Sequence, residues 1–147
     1  MFVVFDLDGT LADCSHRIHM IGSGSEERDH PDWDAFYRAC VHDKPTMPII
    51  NTLIAFRNGG ARGEIWTGRS DLVHAETENW LQRHCIAPHL LKNMRPHGTH
   101  SSDAEMKRLW LFGCDDVPNL VFEDRQRVVD MWREEGIRCC QVAQGDF

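Results

Sequence analysis

The sequence lacks the patterns that would make several function classes easy to assign. None of its six cysteines (Cys14, Cys40, Cys85, Cys114, Cys139 and Cys140) stands at C-x₂-C spacing from another, which excludes a zinc knuckle or a thioredoxin-type redox pair. An even count leaves a disulfide framework formally open, but the chain is long for that class and opens on a strand-like run without a signal-peptide pattern. Free thiols and a cytoplasmic location are therefore expected. No apolar run approaches the ~18 residues of a membrane span. Met47 to Phe56 is too short and is broken by Asn51 and Thr52. No G-x-x-x-x-G-K-[ST] occurs, so no loop of that type is present to cradle a nucleoside triphosphate. Positive charge is also short: 16 Lys and Arg stand against 23 Asp and Glu, a net charge of −7. That balance argues against a broad electrostatic grip on nucleic-acid tracts.

What is present fits one ordinary α/β domain. The 147 residues are 41% hydrophobic and 27% charged, enough to build a core without disulfide or metal staples. Short apolar runs alternate with helix-period segments. Phe2 to Phe5 reads as a strand, Glu64 to Trp66 ends a second, Leu120 to Phe122 a third and Cys139 to Val142 a fourth. Runs apolar on both faces predict a mostly parallel sheet covered by helices. Helices are expected at Pro48 to Phe56 and at Asp71 to His84, the latter with Val73, Thr77, Trp80, Leu81 and His84 on one stripe. A capping box, Ser102 to Glu105, opens a third helix expected to turn Met106, Leu109 and Trp110 inward and to close at Gly113. A fourth, Arg125 to Glu135, buries Val128, Val129 and Trp132 and ends at a left-handed Gly136. Residues 14 to 44 fit the alternation poorly. Gly22 to Asp32 reads as a mobile loop and Trp33 to Val41 as a short helix, together a small helical insertion over one edge of the sheet that is expected to overhang the site.

Chemistry concentrates at the ends of the strands. Phe5-Asp-Leu-Asp-Gly-Thr-Leu11 places two carboxylates two residues apart at the carboxyl end of the first strand, where open α/β sheets bind ligands. Gly9 lets the chain turn at once, so Asp6 and Asp8 can approach one reacting group from different sides. Two acids this close require a counter-charge, and Mg²⁺, a hard ion satisfied by carboxylates, backbone oxygens and waters, is the natural one. The second strand ends in Thr67-Gly68-Arg69, offering a hydroxyl, free backbone N–H groups and a guanidinium to phosphate oxygens, with Ser70 as a helix cap. Lys107 lies on the capped helix as a point charge, although Asp103 four residues earlier would equally make an ordinary surface pair. The third strand ends in Glu123-Asp124.

Together the DLDGT run, Thr67, Lys107 and the acidic pair resemble the haloacid dehalogenase (HAD) superfamily of phosphohydrolases. The resemblance implies a HAD-like, Rossmannoid fold and roles for these residues. Asp6 would attack phosphorus and become an aspartyl-phosphate, while Asp8 would protonate the leaving oxygen and later deprotonate water. Thr67 and Lys107 would hold the transferring phosphate. Asp6, Asp8, Asp124 and Glu123 would form the Mg²⁺ site, with Asp124 as a direct contact and Glu123 in outer support. More narrowly, the chain resembles the phosphatase domains of phage-type polynucleotide kinases nearly end to end, from Asp6 and Asp8 through Arg17, Arg69 and the Asp103 to Lys107 pair to the closing DRQRVVDMWREEGIRCCQVAQGDF. That likeness implies removal of 3′-phosphates from DNA or RNA ends, with Arg17, Arg69, Gly68 and Asp103 as substrate-binding residues and Asp103 orienting Lys107 or an arginine. Thr67 stands where that family has serine, and Glu123 where it has a second Asp. No kinase P-loop accompanies them, so 5′-phosphorylation is not expected and a separate kinase or ligase is a candidate partner.

Other readings remain at this stage. A nucleotidase or general small-phosphoester phosphatase shares every catalytic residue, and a non-catalytic phosphate-binding partner of a kinase or ligase is a third. Trp33, Phe36 and Tyr37 could stack on a base, but their spacing with Cys40 and Val41 is also that of a helix packing on the body. His16 with His19, and His97 with His100, lack a metal-ligand set and read as surface or substrate-loop residues, with Arg95 in the same polar loop. Five of the acids and three of the cations fall in the implied site, so the net charge of −7 is compatible with binding strand termini rather than tracts.

Overall fold

The computed structural model describes residues 1–22 and 31–145. Five parallel strands form one sheet: β1 (Phe2–Phe5), β4 (Arg62–Ser70), β5 (Leu91–Arg95), β6 (Leu120–Arg125) and β7 (Cys139–Gly145), in the order β5-β4-β1-β6-β7. Two short strands, β2 (Ala12–Asp13) and β3 (Lys44–Pro45), pair antiparallel beside it. The helices are α1 (Trp33–Arg38), α2 (Met47–Asn58), α3 (His74–Arg83), α4 (Asp103–Phe112) and α5 (Gln126–Glu134). The α/β, mostly parallel architecture matches the sequence expectation. No helix among the described residues is long and apolar enough to cross a membrane.

The central strand explains the layering. Successive side chains of FVVF point to opposite faces and all four are buried. Val3 and Phe5 enter one core with Ile50, Leu53, Ile65, Trp80 and Leu81, beneath α2 and α3. Phe2 and Val4 enter the other with Trp66, Val121, Val128, Met131 and Trp132, beneath α4 and α5. Truncating a buried tryptophan such as Trp80 or Trp132 in these cores costs about 3–5 kcal/mol.

Three features differ from the sequence expectation. The edge strand β5 was not anticipated, because Leu-Lys-Asn-Met-Arg is only half buried and carries no clear alternation. In α4, Met106 is buried but Leu109 is 66% exposed, while Asp103, Lys107 and Leu111 take the inward face and Trp110 is half buried. Lys107 fixes the rotation of the helix and carries Leu109 to solvent. The insertion does not lie over a sheet edge: Arg17, itself paired with Asp43, donates to Asp8, so its described parts cover the carboxyl ends of the strands. Its α1 buries Phe36 and Tyr37 with Cys40, Ile21 and Val73. Most of the expected mobile loop, residues 23–30, lies outside the described residues, as do residues 146–147. The Gly136 turn is left-handed at φ +76°, whereas α4 ends at Gly113 with φ −88°. All six cysteines are free.

Candidate active site

Two irregularities at the carboxyl end of the sheet build the site. Between β4 and β5 the register runs from Thr67 opposite Met94 directly to Ser70 opposite Arg95, so Gly68 and Arg69 bulge out of the ladder. Between β6 and β7 it runs from Glu123 opposite Gln141 to Arg125 opposite Gly145, and Asp124 lies at that break. Gln141 steadies it by donating from Nε2 to the Asp124 carbonyl oxygen at 3.0 Å.

On one side of the site three carboxylates converge. Asp6, Glu123 and Asp124 each present an oxygen within 4.8 Å of the other two, and all are buried. Lys107, only 1% exposed, donates to Asp6 Oδ1 and to Glu123 Oε2, both at 2.6 Å. It is therefore not the surface partner of Asp103. Glu123 is held further by the backbone N–H groups of Asp124 and Arg125 at 3.2 and 3.3 Å. Burial, reinforced by the Glu123 charge, raises the Asp6 carboxyl well above its ordinary range despite Lys107. The same two causes push Asp124 up to about 7.

Asp124 is also crowded by glycine. A β-carbon at Gly9, where φ is +88°, or at Gly145 would overlap its carboxylate. Asp124 Oδ2 is buried without a hydrogen-bond partner among the described residues, and Oδ1 receives only a long 3.5 Å bond from Thr10 Oγ1. An orphaned carboxylate oxygen beside two further acids, in a space kept free of β-carbons, is the donor chemistry of a hard divalent cation. The residues present fit such an ion.

On the other side the charges reverse. Asp8 accepts from Arg17 Nη2 at 2.7 Å and from Arg69 Nε at 3.2 Å, with a further ion pair to Arg69 Nη2. Burial alone would raise the Asp8 carboxyl, but the two guanidiniums outweigh it and hold it well below the usual range. The Asp8 side chain thus faces the arginines rather than the three-carboxylate group. Asp43, which the sequence reading did not single out, binds the same arginines: Arg17 Nε, Arg17 Nη2 and Arg69 Nη2 each donate to it at 2.8 Å. His16 Nε2 adds a 2.9 Å contact, so His16 is not simply a surface residue. Arg17 also donates to the Phe36 carbonyl at 3.1 Å and lies over the Phe36 ring, 4.1 Å from its centroid.

Of the remaining expected residues, Gly68 and Asp103 line the cavity and Thr67 does not. Thr67 is fully buried and its Oγ1 accepts from the Arg69 backbone N–H at 3.1 Å. Asp103 pairs with Arg95 and Arg125, so it orients arginines rather than Lys107. Gly68 is required there, because a β-carbon would overlap the Asp103 carboxylate. Arg95 stitches the loop by donating to the carbonyls of Gly68, Thr99 and Ser101 at 2.9, 3.3 and 2.6 Å. Arg125 was overlooked because it follows the acidic pair at a strand end, where a cation reads as solvated. Asp43 sits in a polar His-Asp-Lys stretch with no motif around it. Above these groups opens a cavity of about 420 Å³ that reaches Asp6 and Asp8 and is walled by α1 on one side and residues 95–103 on the other.

Solved structures share this fold. A haloacid dehalogenase-like family hydrolase from Streptococcus pneumoniae is 17% identical with a TM-score of 0.58, covering 95% of this chain and 83% of that one. The class C acid phosphatase from Bacillus anthracis with tungstate bound is 18% identical with a TM-score of 0.62, covering 97% and 65%. Fold and site together define a HAD-type phosphatase domain. The chain belongs to the polynucleotide kinase PNKP phosphatase-domain family, which matches residues 1–147. A structure of a Pnkp1/Rnl/Hen1 complex contains a chain 26% identical to it, with a TM-score of 0.77 over 99% of this chain and 46% of that one. A second, described as the Pnkp1/Rnl/Hen1 RNA repair complex, is 24% identical with a TM-score of 0.77 over 99% and 43%. The present chain spans less than half of those two chains.

Proposed function

We propose that this chain removes 3′-phosphates from DNA or RNA ends, with Mg²⁺ as cofactor. The observation carrying the reading is the division of the site into a Lys107-clamped acidic group around Asp6 and an arginine-clamped Asp8 at the floor of one cavity.

Asp6 is the nucleophile. Its free carboxylate oxygen attacks phosphorus, the bond from phosphorus to the 3′ oxygen breaks, and Asp8 delivers a proton to that departing oxygen. Water then attacks the aspartyl-phosphate, Asp8 takes its proton, and inorganic phosphate leaves with Asp6 regenerated. Arg17 and Arg69 hold Asp8 ionised until a phosphate dianion competes for their guanidiniums, at which point Asp8 takes up the proton it later delivers. Lys107 fixes the Asp6 rotamer and, with the Thr67 hydroxyl and the Gly68 backbone, receives the phosphoryl oxygens. Asp6 and Asp124 would hold the cation, Glu123 supporting them through Lys107 and the backbone, while the Asp8 side chain is engaged by Arg17 and Arg69. Bound there, Mg²⁺ neutralises charge on the transferring group. Because related chains are found in a Pnkp1/Rnl/Hen1 assembly, a separate kinase or ligase is the partner we propose.

The test supplies the purified chain and Mg²⁺ with a 3′-phosphorylated oligonucleotide, its 5′-phosphorylated isomer, nucleoside monophosphates and an aryl phosphate. The 3′-phosphorylated oligonucleotide is expected to have the highest kcat/KM. A preference for mononucleotides would overturn the polynucleotide assignment in favour of a nucleotidase.

A further inference from the structure

The aromatic residues of the insertion are divided between two tasks. Phe36 and Tyr37 are almost wholly buried, yet Trp33 keeps 42% of its surface exposed although rings surround it. Its ring lies 5.8 Å from Phe36, edge on, and 5.9 Å from Tyr37. Packing alone does not account for an indole left open on one side at the wall of the cavity that reaches Asp6 and Asp8. The three rings form a series leading outward from the reaction centre. Phe36 lies under the Arg17 guanidinium, which touches Asp8, and Trp33 stands one ring further out. The N-terminal end of α1 is fixed by Asp32, whose side chain accepts from Ala35 N at 2.9 Å, so Trp33 is held on a capped turn. The opposite wall is polar, formed by Arg95, His97, His100 and Arg127.

A flat apolar face across from a polar wall, set back from the point where phosphorus is attacked, suits a nucleoside whose phosphate is being removed. From this geometry we infer that Trp33 is the stacking platform for the base of the terminal nucleotide. The ring acts on the base and not on the chemistry, so it determines which phosphoesters are bound well. The inference rests on the polynucleotide reading above and adds the residue through which the base is recognised. Stacking on an aromatic side chain is tolerant of base identity, so the platform favours any nucleobase over none.

The test compares wild type, Trp33→Phe and Trp33→Leu on three substrates: a 3′-phosphorylated oligonucleotide, the same oligonucleotide with an abasic terminal residue, and acetyl phosphate, which has no ring. Leucine keeps apolar bulk against Phe36 and Tyr37 while losing the flat face, and thermal unfolding of each variant reports the packing. With Trp33→Leu, KM for the base-bearing end is expected to rise roughly tenfold with kcat little changed, as loss of one stacked base implies. The abasic and acetyl substrates should move less than twofold, and Trp33→Phe should restore most of the loss. Equal losses on the base-bearing and abasic ends, or none on either, would overturn the inference while leaving the polynucleotide reading intact. A wild type that turns over acetyl phosphate but not the 3′-phosphorylated ends overturns both.

Discussion

Asp43 and Asp8 share two arginines inside the protein, and that shared pairing has a cost and a use. Four charged side chains are buried together, and removing one partner of such a group leaves the others uncompensated. Asp43→Ala is expected to destabilise the protein by about 3–5 kcal/mol in urea unfolding, since Arg17 and Arg69 each lose a carboxylate acceptor. Asp43→Asn keeps the shape and one acceptor oxygen and is expected to cost clearly less, while both variants lower kcat/KM through misplaced arginines. An Asp43→Ala variant within 1 kcal/mol of wild type would show that the network adds nothing to stability. Lys107 poses the same problem on the acidic side: surrounded by Asp6 and Glu123, it is driven further toward its charged form than an ordinary lysine even though burial opposes this. An alternating arrangement of buried charges keeps Asp6 and Asp8 in different electrostatic surroundings only two residues apart in sequence.

At the scale of strands and helices, the site depends on two register breaks and on glycines where they occur. Gly145→Ala would drive a methyl group into the Asp124 carboxylate. A magnesium-binding protein at a hundredfold excess of ion over Kd gains about 2.7 kcal/mol, or roughly 5–10 °C in Tm for a domain of this size. Wild type is expected to show that rise on titration with Mg²⁺ and Gly145→Ala to lose it, measured by thermal unfolding with and without the ion. Gly60→Ala, at a left-handed turn with open space around it and remote from the carboxylates, should keep the Mg²⁺ response intact. An unchanged response in Gly145→Ala would remove Asp124 from the ion site. The elements themselves were unequally legible. Strands β1 and β6 announce themselves as apolar runs that stop at acids, and the α4 capping box is explicit. Strand β5 was invisible because an edge strand needs little apolar pattern. Leu109 was misplaced because apolar periodicity assumes that the core decides a helix's rotation, whereas here a buried lysine decides it. Asp43 could not have been found from one sequence, since the contacts that give it meaning span 26 residues to Arg17 and Arg69.

Across the whole molecule, the net charge of −7 coexists with a cavity whose walls carry Arg69, Arg95, Arg125 and Arg127. The acidic excess is spread elsewhere and in the three-carboxylate group, where a bound divalent cation would offset it. On the proposed function, such a surface would attract a single terminal phosphate without holding long stretches of backbone. It follows that activity on 3′-ends should depend on salt far less steeply than tract binding does. If Asp6 becomes phosphorylated from a 3′-end, that state can be trapped. The chain and Mg²⁺ are mixed with an oligonucleotide carrying a labelled 3′-phosphate, quenched in acid within the first turnover, digested and read by mass spectrometry. One phosphoryl group is expected on the peptide containing Asp6, and none in Asp6→Asn. Label on another residue, or full release of phosphate with no labelled peptide at any quench time, would contradict it.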